Sequence, residues 1–355
     1  MKIFSTFTLI LLMGCYQPVL DPDPLEEAHI IDWHVHVAGL GFGGSGNFIN
    51  KEMQDSFRFE FFLSWMDETE EELKEYGDQI LIKKLNDKIV RSKYVDQAVV
   101  LAMDGVIDEK TKTLDRKKTQ VYVSNEFVAS QTAKYPSLLF GASINPNRDN
   151  SLALLDEVHR QGAVLIKWIP SIMYIDPSDE KFIHFYKRLA ELNIPLLTHT
   201  GMEKSFSNAK DHFSDPRLLE LPLTCGVTVI AAHIATTGES DGQDNFERIL
   251  PMFDEFPNLY TDISSLTQLN KLGYLAKALK HPGLTERMIY GSDWPLSSFP
   301  LVSPWYHINH IGIKNAWHVS AYDNKWDIDV KLKQAFGVPH AVFIRRPGIL
   351  KTSAE

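Results

Sequence analysis

From residue 28 to about residue 295 the chain alternates short apolar runs with segments of helical period. Eight runs read as buried parallel strands: residues 30–36, 97–103, 138–144, 163–169, 194–199, 227–233, 259–263 and 288–293. Between them, residues 179–192 put Phe182, Phe185, Tyr186 and Leu189 on one face, with charges opposite. Leu152, Leu155 and Val158 repeat that spacing, and Gly162 follows as a C-cap. Residues 245–256, 272–279 and 327–336 continue the pattern. Eight strand–helix repeats with no compositional break predict one α/β domain, a (β/α)8 barrel of the TIM type. At 355 residues the chain suits such a barrel with insertions.

The longest interruption follows the first run, where an insertion is expected. Residues 39–47 hold five glycines, followed by Phe57, Phe59, Phe61, Phe62 and Trp65, then an acidic helical segment from Asp67 to Glu75. The glycines lack the GxxxxGK[ST] pattern, which excludes a phosphate loop of that kind. At the catalytic face the aromatic residues form either a flap over a substrate or an ordinary packed excursion. Residues 296–326 show no clear periodicity, and no chemistry is assigned to Trp305, His307, His310 or Trp317.

The N-terminus has a different character. Met1 and Lys2 precede an apolar stretch over residues 3–13, too short to span a bilayer and suited to a secretory signal. It ends in Leu12-Met13-Gly14-Cys15, which resembles the bacterial lipobox, whose cysteine is lipidated and becomes the new N-terminus. The expected division is a signal peptide over residues 1–14, a tether over 15–27 rich in proline, and a catalytic domain over 28–355. Tyr16, in place of aspartate, points to the outer membrane of a bacterial envelope, with the domain on the periplasmic side. Membrane contact is then expected only through that lipid. Cys225 is left as a lone, inert buried thiol, so no internal disulfide is expected. A net charge of −10 with no offsetting basic block excludes nucleic acid as a partner, and a homo-oligomer remains open.

The chemistry lies where the runs end. His34 and His36 close the first run two residues apart, so both imidazoles face one side of a strand. Lys167 follows the apolar residues 163–166 of run four, and His199, His233 and Asp293 close runs five, six and eight. In a parallel barrel all six surround one mouth.

These residues resemble the signature of the amidohydrolase superfamily, over essentially the whole chain from residue 30. Gly291-Ser292-Asp293-Trp294-Pro295 is similar to the strand-eight segment of its amidohydrolase 2 branch. The resemblance implies that His34, His36 and Asp293 bind a divalent metal, with His199 as a further ligand. His233 would ligate a second metal or orient a substrate carbonyl. Lys167 matches the position of a carboxylated lysine bridging two metals; its other reading is an ion pair with Asp293 or with a substrate carboxylate.

Imidazole and carboxylate ligands suit Zn²⁺, as one or two ions, and metal-held water has a pKa of about 7. Asp293 is placed to accept and return a proton, and His233 to hydrogen-bond an oxygen gaining charge. Thr198, Thr200, Glu203 and Trp168 flank the ligands. The leading expectation is metal-dependent hydrolysis of an ester, lactone or amide of a small molecule. The alternatives are non-oxidative decarboxylation of a small carboxylic acid and solute binding without turnover. Arg148 and Arg217 are the arginines that decarboxylation would recruit.

Overall fold

A computed structural model describes residues 23–347 of the chain. The expected signal peptide and Cys15 lie outside the described residues. Eight parallel strands form one sheet in sequential order. They are β1 (Ile30–His36), β2 (Val95–Leu101), β3 (Leu138–Ala142), β4 (Leu165–Trp168), β5 (Leu196–His199), β6 (Val229–Ala232), β7 (Leu259–Asp262) and β8 (Met288–Ile289). The sheet closes on itself through the segment after β8. Trp33 N donates to Tyr290 O, Asp293 N to His34 O (2.9 Å), and His36 N to Trp294 O (2.9 Å). All eight expected runs are strands of this barrel.

Side-chain alternation sorts each strand into an inner and an outer set. Ile31, Trp33, Val99, Leu101, Leu165, Leu197, Ile230, Ala232 and Ile289 pack together inside the barrel. The alternate residues, among them Ile30, Val35, Val100, Ile166 and Trp168, join the larger core shared with the helices. Following the inner register upward, Lys167 and His199 come next on β4 and β5, and Asp262 at the end of β7. Apolar layers thus give way to a polar top layer. β1 departs from simple alternation. Asp32 pairs with Ala98 and Val35 with Val100, so three steps on β1 match two on β2. This bulge resets the phase after Trp33 and turns His34 and His36 inward.

The helical segments match their expected periods, with informative differences. Residues 245–256 form two short helices, Asn245–Ile249 and Met252–Glu255, because Pro251 between them cannot continue the first. The region without periodicity contains a helix, Ile308–Val319, broken at Gly312 with φ 77°. That break splits the apolar spacing and leaves Ile313 and Trp317 exposed. The connection from β1 to β2 is the longest in the barrel and carries four helices, ending in Gln79–Val90.

Helix Lys325–Ala335 lies behind the closing seam. Trp326 Nε1 donates to Asp32 Oδ2 (2.7 Å), and Asp32 also accepts from Ser292 N (2.9 Å). Lys333 Nζ donates to Gly291 O (2.7 Å) and to Asp329 Oδ2 (2.6 Å), which accepts from Tyr290 as well. At the start of the described chain, where a tether was expected, Leu25 is buried and Asp23 pairs with Lys331. The last residues of that segment therefore pack on the barrel.

Lys333→Met would strand the Asp329 carboxylate in a dry seam, so a loss of about 3–5 kcal/mol in urea unfolding is expected. Adding Asp329→Asn to that variant should recover much of the loss, because no uncompensated charge then remains buried.

Candidate metal centre

The mouth of the barrel holds a cavity of about 160 Å³, and His34, His36, Lys167, His199, His233 and Asp293 all line it. The ligand-bearing atoms of His34, His233 and Asp293 lie within 4.8 Å of one another. His34 Nε2 sits 3.0 Å from His36 Nε2 and 2.8 Å from Lys167 Nζ. Asp293 Oδ1 faces both imidazoles, at 3.6 Å from His34 Nε2 and 3.7 Å from His36 Nε2. Its other oxygen is 4.0 Å from His233 Nε2.

Hydrogen bonds behind the rings set their tautomers. His34 Nδ1 lies 2.7 Å from Asp262 Oδ2, and a carboxylate only accepts, so Nδ1 carries the proton and Nε2 turns a lone pair inward. His233 Nδ1 lies 3.2 Å from the Ser264 carbonyl and 2.7 Å from Ser264 Oγ. The carbonyl fixes the proton on Nδ1 in the same way and leaves Nε2 free to ligate. A neutral His233 in this tautomer cannot donate from Nε2, which favours the ligand role over orientation of a carbonyl. Burial holds His34, His36 and His233 well below the ordinary histidine range and brings His199 down to about 4. All four imidazoles are neutral at pH 7, the state that ligates metal.

The arrangement fits a cation at its centre. An imidazole nitrogen has one lone pair, yet both Lys167 Nζ and His36 Nε2 crowd that of His34. Among the described residues, His36 Nδ1 and His199 Nε2 are buried without a hydrogen-bond partner. Neutral imidazoles with one carboxylate are a donor set for a borderline divalent ion. Burial pushes the Asp293 carboxyl up and the Lys167 ammonium down, as expected of charged groups removed from water.

His199 stands apart from the three-residue cluster. Its ring centre is 5.3 Å from that of His233, and its Nε2 faces Glu203 Oε2 at 3.5 Å. Lys167 forms no ion pair with Asp293; its hydrogen bond goes to His34. Thr200 and Trp168 bond backbone carbonyls, of Ala232 at 3.0 Å and Ile144 at 2.7 Å, and so support the frame. Neither Arg148 nor Arg217 reaches the cavity. Arg148 is clamped by Asp104 (2.7 and 2.6 Å), and Arg217 pairs with Glu220 and Glu255 at the surface.

Several site residues were not evident from sequence. Asp262 ends β7 as a carboxylate after an apolar run, the same signal that marked the other strands. Ser264, Ser265 and Lys271 follow it without any motif. Of the aromatic residues after β1, Phe59 and Phe62 wall the cavity together with Met53, Leu63 and Met66, whereas Phe61 is exposed.

The family model described as Amidohydrolase matches residues 31–310. No curated protein matches. Among solved structures, an uncharacterized TIM-barrel protein from Bordetella bronchiseptica is 16% identical, covering 87% of this chain and 96% of that one, at a TM-score of 0.53. A probable 2-pyrone-4,6-dicarboxylic acid hydrolase from Acinetobacter baumannii is 14% identical over 87% of this chain and 99% of its own, at 0.47. A 5-carboxyvanillate decarboxylase from Novosphingobium aromaticivorans, complexed with manganese, is 11% identical over 89% and 95%, at 0.45. The first shares the fold.

Asp262→Asn should weaken metal affinity about 10–100-fold in a chelator competition, because the group that orients His34 is altered. Circular dichroism should show the barrel intact.

Proposed function

This chain belongs to the amidohydrolase family, in its amidohydrolase 2 branch, and from that premise we propose a metal-dependent hydrolase acting on an ester, lactone or amide of a small molecule. The observation that supports it is the convergence of His34 Nε2, His36 Nε2 and Asp293 Oδ1 at 3.0–3.7 Å beside a largely apolar cavity. His34, His36, His233 and Asp293 would hold the divalent ion, zinc in this proposal, with His199 on its outer side. When bound, such an ion polarises a carbonyl and lowers the pKa of coordinated water to about 7.

The chain's own groups supply the rest. Asp293, raised by burial, takes a proton from the attacking water at its carboxylate and returns it to the leaving group. The wall from Met53 to Met66 excludes bulk water from the reacting bond. Lys167, with its pKa lowered by burial, has a neutral fraction able to form a carbamate; uncarboxylated, it stays a cation beside the substrate. A second reading, decarboxylation with Asp293 protonating carbon, is favoured by the buried ammonium groups of Lys167 and Lys271 on the cavity wall.

Metal analysis with a screen of lactones, esters, amides and aromatic acids tests the proposal. Asp293→Asn should keep much of the metal while turnover falls by about 10²–10⁴-fold. His34→Ala or His36→Ala should lose metal and activity together. Full activity in Asp293→Asn on a confirmed substrate would sink the proton-transfer role. Lys167→Ala should lose one of two metals, partly restored by short carboxylic acids, if the lysine is a carbamate bridge; with metal kept and KM raised, the lysine contacts substrate.

We also propose that Cys15 is lipidated and holds the domain on the periplasmic side of the envelope, at the outer membrane. The Leu12-Met13-Gly14-Cys15 segment supports this reading. Cys15→Ala should release the protein from the membrane fraction; unchanged association would exclude the anchor.

A further inference from the structure

Lys271 closes the short turn Leu269–Lys271 beyond β7 and lines the cavity while only 7% exposed. Its Nζ donates to Ser265 Oγ at 2.5 Å, and Ser265 Oγ lies 3.0 Å from His233 Nδ1. Among the described residues it forms no ion pair, and two of its three N–H donors have no partner. A buried ammonium is normally paired with an anion.

The nearby carboxylates are committed elsewhere. Asp262 accepts from His34 Nδ1 and from His233 N at 2.9 Å. Glu203 accepts from Ser205 N at 2.6 Å and faces His199. Asp293 faces His34 and His36. These carboxylates attract Lys271 through space, but among the described residues none is hydrogen-bonded to it, and the ammonium lines the cavity.

The opposite wall is apolar and adaptable, built from Met53, Phe59, Phe62, Leu63, Met66 and Met103. A volume of about 160 Å³ is close to that of a cavity that accepts one benzene ring. The space thus joins a hydrophobic chamber to two buried lysines beside the metal-binding cluster, Lys167 bonded to His34 and Lys271 bonded only to a serine.

We infer that Lys271 is the counter-ion for a carboxylate of the substrate, which is a small hydrophobic acid with its aryl or alkyl body against the Met53–Met66 wall. This rests on the proposed function, since the reacting bond then lies at His34, His36 and Asp293. Lys271 is a specificity-determining residue in this assignment; it binds the carboxylate and transfers no proton.

Calorimetric titration of the metal-loaded protein with benzoate, phenylacetate and 3-phenylpropionate, each beside its neutral amide, tests the inference. At least one acid should bind about tenfold or more tightly than its amide, the strength of a charge-assisted hydrogen bond. Lys271→Met should abolish that preference and Lys271→Arg should keep it, with metal content and circular dichroism unchanged in both. A preference that persists in Lys271→Met would mean the acids are held by Lys167 or by the metal, and would overturn the assignment. So would the absence of any acid-over-amide preference in the parent protein. Metal content is measured separately, so a failure at Lys271 with metal retained leaves the hydrolase proposal standing. An acid preference in a protein that binds no metal would sink that proposal and keep this one.

Discussion

Asp262 ends β7 with both carboxylate oxygens inside the barrel mouth, and each oxygen serves a different histidine. Oδ2 accepts from the His34 ring, while Oδ1 accepts from the His233 backbone N–H and from the Ser264 hydroxyl. One buried anion thereby fixes the His34 tautomer, anchors the backbone where β6 exits, and positions the serine behind the His233 ring. The carboxylate itself is fully buried and held by donors on every side. A histidine ligand is worth little as a free rotor; its lone pair must already point at the ion. That pre-orientation is what the rest of the mouth is built around.

The backbone is bent to the same end. His233, Ile234 and Ala235 have φ of 59°, 54° and 51°, and Asp293 has 63°. The left-handed region is unfavourable for any side-chain-bearing residue and most of all for β-branched Ile234, at about 1–3 kcal/mol each. Hydrogen bonds hold the strained units in place. His233 N is tied to Asp262, Ile234 N to Thr261 Oγ1 at 3.0 Å, and Asp293 N to His34 O at 2.9 Å. Strain of this size persists only where the surroundings overdetermine it, and here it sits at two of the ligand positions. The bulge in β1 acts similarly for His34. Regular alternation would aim only some of these groups inward, and local irregularities aim the others.

These devices explain what the sequence could and could not tell. Alternation of strand and helix predicted eight barrel strands, and eight form the barrel, because a parallel barrel buries both faces and writes that burial as apolar runs. Ligand-type residues at the ends of those runs placed six side chains around one mouth, where all six lie. Roles were less legible. The partner of Lys167 depends on the inward turn of His34, set by a bulge that no residue pattern announces. Asp262 is hidden in the sequence because the run 259–263 continues to Ile263, which leaves the carboxylate one residue short of the apparent end. Lys271 lies in a turn, where position depends on how the loop after β7 folds over Ser265. The helix Ile308–Val319 shows no clear period in the sequence because Gly312 interrupts it.

Charge brings these parts together. The buried mouth sets the carboxylates of Asp262, Asp293 and Glu203 against the ammonium groups of Lys167 and Lys271, with four imidazoles held neutral by burial. A divalent cation held there shifts the balance of the mouth toward positive charge. In a space of low effective dielectric that shift favours an anion. The apolar wall contributes no charge, so an anionic ligand would bring the hydrogen-bonded partner that Lys271 lacks among the described residues. A carboxylate at Lys271 would give the ammonium a hydrogen-bonded anion, while a neutral ligand would leave it without one. Discrimination then follows from desolvation, since the site rejects any molecule that buries Lys271 without pairing it.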